Sequence, residues 1–174
     1  LLIPQKGAII DIGCGNGGFS NYLSLQNPER TIQGVDFSKK RIMIAKKSVG
    51  KRKNIKFTLG DVTKIKQPSA NCYLIIDVLH HIDFQNQEKL FRFLGKKMSK
   101  NSILIVKEID SSNKIPFIFG QLLEKILYPK EKIYARSNKD WEAMFRSLGL
   151  SVKVLSGASY FPDSTCIFIL SRKN

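Results

Sequence analysis

Apolar residues along this chain come as short runs alternating with helical stripes. The run Ala8-Ile9-Ile10-Asp11-Ile12 leads into four glycines within residues 13–18, which predicts a buried strand, a tight turn and a helix start. Phe19, Tyr22, Leu23 and Leu25 then recur near helical spacing, and Asn27-Pro28 closes that segment because the residue before proline avoids the helical region. A second strand, Thr31 to Val35, ends at Asp36. Ser38 is the expected N-cap of a helix running to Val49, with Ile42, Ile44, Ala45 and Val49 inward and Lys39, Lys40, Arg41, Lys46 and Lys47 outward.

The alternation continues. Strands are predicted at Ile55–Leu59, Asn71–Ile76 and Ser102–Val106, with a helix from Glu88 to Met98 carrying Leu90, Phe91, Phe93, Leu94 and Met98. An apolar stretch from Ile115 to Tyr128 reads as a partly buried helix, ended by Pro129-Lys130-Glu131-Lys132. A further helix spans Asn138–Leu148, capped by Ser137, with Trp141, Met144, Phe145 and Leu148 inward. Val152–Leu155 and Cys166–Leu170 are β-rich. Strands alternating with helices imply an α/β, doubly wound, mostly parallel sheet whose ligand crevice lies at the carboxyl ends of the strands. Residues 1–174 are read as one domain, within which 113–136 is either a lid or a cover for the sheet edge.

Composition changes this picture in one respect. At 174 residues, 43% hydrophobic and 25% charged, the chain is ordinary for a globular domain, but 29 Lys and Arg against 14 Asp and Glu give a net charge of +15. That excess permits an anionic partner, nucleic acid or an acidic membrane surface, although the lysines are scattered and also fit solvated helix faces. Cys14, Cys72 and Cys166 lack metal-ligand spacing and suit reduced, mostly buried thiols. No signal segment and no apolar run of about 18 residues is present, so a soluble cytoplasmic protein is expected. Because residue 1 is leucine and the first strand begins almost at once, an N-terminal extension preceding this sequence is expected too. The oligomeric state stays open.

The glycine turn is where chemistry is expected. Its residues permit positive φ and close approach of backbone amides, and the following helix offers unpaired N–H groups, so an anionic group is the natural guest. Gly13-x-Gly15-x-x-Gly18 with Asp36 about 20 residues on fits the dinucleotide fingerprint. The fuller pattern Asp11-x-Gly13-x-Gly15-x-Gly17 with Gly34-Val35-Asp36-Phe37-Ser38, followed by Gly60-Asp61-Val62 and Asp77-Val78-Leu79-His80-His81-Ile82, resembles the class I S-adenosylmethionine (SAM) methyltransferases. The resemblance runs from about residue 8 to the end, with its informative motifs confined to residues 11–82.

That resemblance implies a seven-stranded sheet of order 3-2-1-4-5-7-6 with a terminal antiparallel hairpin, and SAM as cofactor. Gly13, Cys14, Gly15 and Gly17 would cradle its methionine part, with Asp11 orienting that loop or its ligand through hydrogen bonds. Asp36 would accept both ribose hydroxyls, Phe37 would flank the adenine, Asp61 would accept from the adenine amine, and the Val62 amide would donate to the ring. Asp77 would hold the cofactor's ammonium. His80 and His81 are candidate proton acceptors, with Glu108 and Asp110 as alternatives. The Val-Leu-His-His form is similar to enzymes acting on small metabolites, quinones or lipids, an apolar acceptor among them.

Three rival readings remain. A ribose-methylating RNA enzyme would use Asp77 and Lys107 but lacks its glutamate at Leu155-Ser156-Gly157. An NAD-dependent oxidoreductase fits the glycine turn and Asp36 but not Gly60-Asp61-Val62. A non-catalytic SAM-binding module is excluded by nothing in the sequence.

Overall fold

The computed structural model describes residues 2–61, 63, 64, 69–112, 118, 122, 126, 132–155 and 165–173. In chain order these form β1 (Gly7–Ile12), α1 (Gly18–Gln26), β2 (Arg30–Asp36), α2 (Lys39–Lys47), β3 (Ile55–Leu59), β4 (Cys72–Ile76), a 3-10 turn (Leu79–His81), α3 (Phe84–Lys97), β5 (Ile103–Ile109), a helix we label α4 (Asn138–Ser147), β6 (Leu150–Leu155) and β7 (Thr165–Arg172). The strands make one sheet of order β3-β2-β1-β4-β5-β7-β6. Pairing is parallel from β3 to β5, while β7 runs antiparallel to both β5 and β6. This is the arrangement that the resemblance implied.

The central strands are apolar on both sides because both sides are covered. Ile9, Ile32, Leu74 and Ile105 pack with Leu23 of α1 and with Ile42 and Ala45 of α2. Ile10, Ile75, Val106 and Phe168 pack on the other face with Phe91 of α3 and with Trp141 and Phe145 of α4. Phe145 is central there, with ring centroids 4.8 Å from Phe91, 5.6 Å from Trp141 and 5.3 Å from Phe168.

Several helix details differ from the periodicity reading. In α1 only Leu23 of the apolar stripe is buried, whereas Phe19, Tyr22 and Leu25 are exposed. The inward face instead carries Ser20 and Ser24, whose hydroxyls donate to Asp11 and Asn54. Ile44 of α2, expected inward, is also exposed. Helix α3 starts four residues before the expected Glu88, at Phe84, because Asp83 caps it by accepting from the Asn86 amide. Ser38 and Ser137 cap α2 and α4 as expected, Ser137 within a full capping box with Asp140.

The three cysteines are free thiols, with Cys72 and Cys166 buried. Among the described residues no helix is long and apolar enough to cross a membrane, and no group of His, Cys, Asp and Glu could hold a metal ion. The choice between lid and edge cover for 113–136 falls mostly outside the described residues; Ile118, Leu122 and Ile126 are helical and exposed. Phe145→Ala should lower unfolding stability by about 3–5 kcal/mol in a urea titration, since it removes the ring on which both helices of that face converge.

Candidate functional site

Strand β1 ends in a loop whose path is set by neighbouring backbone. The Gly13 and Cys14 amides both donate to Val35 O, at 2.8 and 3.1 Å, and the Gly17 amide donates to Cys14 O at 2.9 Å. Gly13, Gly15 and Gly17 all have positive φ. At Gly13 a Cβ would stand 2.4 Å from Val78 Cγ2, and at Gly17 one would stand 2.5 Å from Phe57 Cζ, so both positions exclude any side chain. Gly15 is different, because a Cβ there would meet no protein atom within 4 Å. The loop is therefore packed on its protein side and open at Gly15.

Asp36 closes this loop from β2. Its Oδ2 accepts from the Gly15 amide at 2.9 Å and its Oδ1 from the Ser38 amide at 2.7 Å. The side chain is only 3% exposed. The carboxylate therefore fixes the glycine loop and the start of α2 in addition to any part it plays toward a ligand. Phe37 next to it is 76% exposed, an unusual position for a phenylalanine unless something covers it.

Asp11 faces α1, accepting from Ser20 Oγ at 2.5 Å. Burial pushes its carboxyl up to about 6, opposed by the Ser20 hydrogen bond and assisted by the nearby negative charge of Asp36. The signal for Ser20 was present but unread, since a serine on the inner face of a helix needs a polar partner. Burial, with Asp11 and Asp36 nearby, also pushes the Cys14 thiol far upward, which makes it a packing group and not a nucleophile. Asp61 accepts from the Thr63 amide and hydroxyl at 2.9 and 2.7 Å and pairs with Lys64 at 3.6 Å. Partial burial opposes its ionisation, but these partners outweigh it and hold the carboxyl below its usual range. Val62 lies outside the described residues.

The segment after β4 forms the opposite wall. Asp77 is the non-glycine residue with positive φ, 53°, among those described, and Lys107 Nζ lies 2.8 and 2.7 Å from its two carboxylate oxygens. Glu108 of β5 is 1% exposed and accepts from the Val78 and Leu79 amides at 2.8 and 2.6 Å, while its other oxygen meets His80 Nδ1 at 2.8 Å. His80 itself is 1% exposed. Gln87 of α3 donates to the carbonyls of Leu79, Ile82 and Tyr134, and the Tyr134 amide donates to His80 O.

Glu108 and His80 are therefore bound into the wall. Asp110 is tied to Ser112 and Asn138 by four hydrogen bonds from their amides and side chains. His81 is half-buried, its ring centroid 4.1 Å from that of His80. Sequence reasoning missed Gln87 as an organiser, because a glutamine within a helix gives no pattern until its partners are known.

Comparison with known proteins bears on the family and the fold. Residues 4–149 match a family model described as a methyltransferase domain. Over 166 residues the chain is 25% identical to malonyl-[acyl-carrier protein] O-methyltransferase 2 of Ilyobacter polytropus, covering 86% of this chain and 64% of that protein. It is 39% identical over 71 residues to malonyl-[acyl-carrier protein] O-methyltransferase of Halalkalibacterium halodurans, covering 40% of this chain and 26% of that protein. The chain thus spans less than two thirds of either relative. Among solved structures it shares its fold with the mitomycin 7-O-methyltransferase MmcR (TM-score 0.78, 21% identity, 97% of this chain and 49% of that one). Human N-acetylserotonin methyltransferase in complex with SAM is similar (TM-score 0.76, 17% identity, 96% of this chain and 48% of that one).

Two outcomes are expected at the loop. Asp36→Ala, by orphaning two backbone amides, should cost about 1–3 kcal/mol of apo stability as well as cofactor affinity; calorimetric titration and urea unfolding of the same variant read the two effects. For Asp11 the folded carboxyl sits near 6 against 3.8 when unconstrained, so its contribution is fully present below about pH 4 and lost as pH rises through about 6. That loss amounts to about 3 kcal/mol, and Asp11→Asn should flatten this part of the stability profile, as read by urea unfolding at a series of pH values.

Proposed function

Because this chain belongs to the methyltransferase domain family and uses S-adenosylmethionine, we propose that its strand-end crevice carries a methyl group to a small organic or acyl-linked acceptor, at oxygen. The observation that carries this reading is the meeting of two preorganised walls, where Gly13 of the glycine loop is in contact range of Val78 beside Asp77. When bound, the cofactor supplies an activated methyl group on a sulfonium, so the protein has chiefly to orient donor and acceptor.

The residues fit that group. Gly15, with Cys14 beside it in the turn, leaves open space for the amino-acid end, Asp36 offers a carboxylate at the ribose station, exposed Phe37 offers an aromatic face for adenine, and Asp61 offers a hydrogen-bond acceptor to its amine. Asp77 and Lys107 present opposite charges side by side, complementary to an α-ammonium and an α-carboxylate. His81 is the residue assigned to take a proton from a hydroxyl acceptor, while His80, held by Glu108, positions that turn.

The relatives support the acceptor class by name: one pair acts on malonyl-[acyl-carrier protein] and two solved neighbours on mitomycin and N-acetylserotonin. The Asp77–Lys107 contact also suits the ribose-methylating set, which keeps an RNA acceptor as the second reading, although β6 ends at Leu155 without the glutamate that set requires.

The test is ligand binding. S-adenosylhomocysteine should raise the melting temperature and NADH should not, since only a ligand of the folded state stabilises it by mass action. Lys107→Met should weaken S-adenosylhomocysteine by about tenfold and leave methylthioadenosine, which lacks the amino-acid end, unchanged. A shift with NADH alone overturns the methyltransferase reading; equal losses for both nucleosides overturn the role of Lys107.

A further inference from the structure

A second concavity lies at the opposite end of the sheet. Arg172 pairs with Leu150 and lies two residues beyond Leu170, the partner of Leu104 near the start of β5, whereas the Asp77–Lys107 pair lies in the second half of that strand. In that register Arg172 stands level with residue 102, so five residues at about 3.3 Å each separate its place on the sheet from Lys107 by roughly 17 Å.

This cavity, of about 350 Å³, is lined by four cations, Arg92 and Lys96 from α3 with Arg172 and Lys173 from the end of β7. Its other walls are apolar or glycine, with buried Phe91 and Leu150 beneath and half-buried Leu148 at the side. No Asp or Glu is among the lining residues. A helix dipole accounts for Lys96 in the last turn of α3, but not for Arg92 a turn earlier or for two cations on a strand end. Arg172 is partly fixed already, since its Nη1 donates to Met98 O at 3.3 Å. Among the described lining residues no acid offsets these four like charges, which repel one another, and an anion in that hollow relieves the repulsion.

We propose that this cavity binds a small phosphorylated organic ligand of about nucleotide size. Guanidinium groups present paired donors that match phosphate oxygens, the two lysines add point charge, and Leu148 with its buried neighbours gives the organic part an apolar wall. The volume falls at the lower end of the range for small-molecule sites, which is too little for a protein helix.

Calorimetric titration with ADP and with inorganic pyrophosphate, at about 50 mM salt, tests this. Saturating S-adenosylhomocysteine is present throughout so that the adenosine of ADP does not enter the strand-end site. One-to-one binding of ADP is expected, weakened about tenfold or more by Arg92→Gln/Lys96→Gln and by less than about twofold by Lys39→Gln/Lys40→Gln, which removes the same charge from α2. Both pairs are exposed, so melting temperatures should stay near wild type. Absence of saturation by about 10 mM ADP, or equal losses in the two double variants, overturns the proposal, as does tight RNA binding with none of ADP.

Discussion

The Glu108 carboxylate holds the functional end of this molecule together. A loop leaving the middle of a parallel sheet carries backbone amides into a dry environment, where each lost hydrogen bond costs about 1–3 kcal/mol. Glu108 reaches across from β5 to accept two of those amides and the His80 ring at once. With that loop fixed, Val78 can press against Gly13, and the two walls of the crevice become one unit. Gln87 repeats the device from the other side, giving its amide hydrogens to carbonyls of the same loop and to Tyr134.

The glycine loop has its own buried acid, and the two carboxylates near it play unlike parts. Asp36 is satisfied by two amides, while Asp11 has one hydroxyl and stands within the field of Asp36. Burial raises the Asp11 carboxyl to about 6, so this end of the sheet holds one acid whose charge is disfavoured beside a second that is tied down by two backbone amides.

The caps at Ser38 and Ser137 were legible in local spacing, the strand order in the family resemblance, and the closeness of Asp36 to the glycine turn in their shared motif. What was not legible depends on partners distant along the chain. Glu108 reads as a crevice acid until its contacts with residues 78–80, thirty positions away, are seen. The apolar stripe of α1 misled for a related reason: polar contacts from Ser20 and Ser24 set which face turns inward, and periodicity weighs only apolar side chains. The early start of α3 came from a polar cap and first turn that carry no hydrophobic pattern.

The placement of β7 between β5 and β6 bears on the order in which the chain can assemble during synthesis. Until residues 165–172 have emerged from the ribosome, β5 has an open edge and β6 lacks the one strand it pairs with among the described residues. Strands β1 to β5 can pair as each appears, but the face holding Phe145 cannot close, since Phe168 comes from the same late strand. Non-local pairing of this kind is slow and leaves a strand edge available to neighbouring chains. The nascent protein is therefore most exposed to misassociation after its binding loops are made and before its core is sealed.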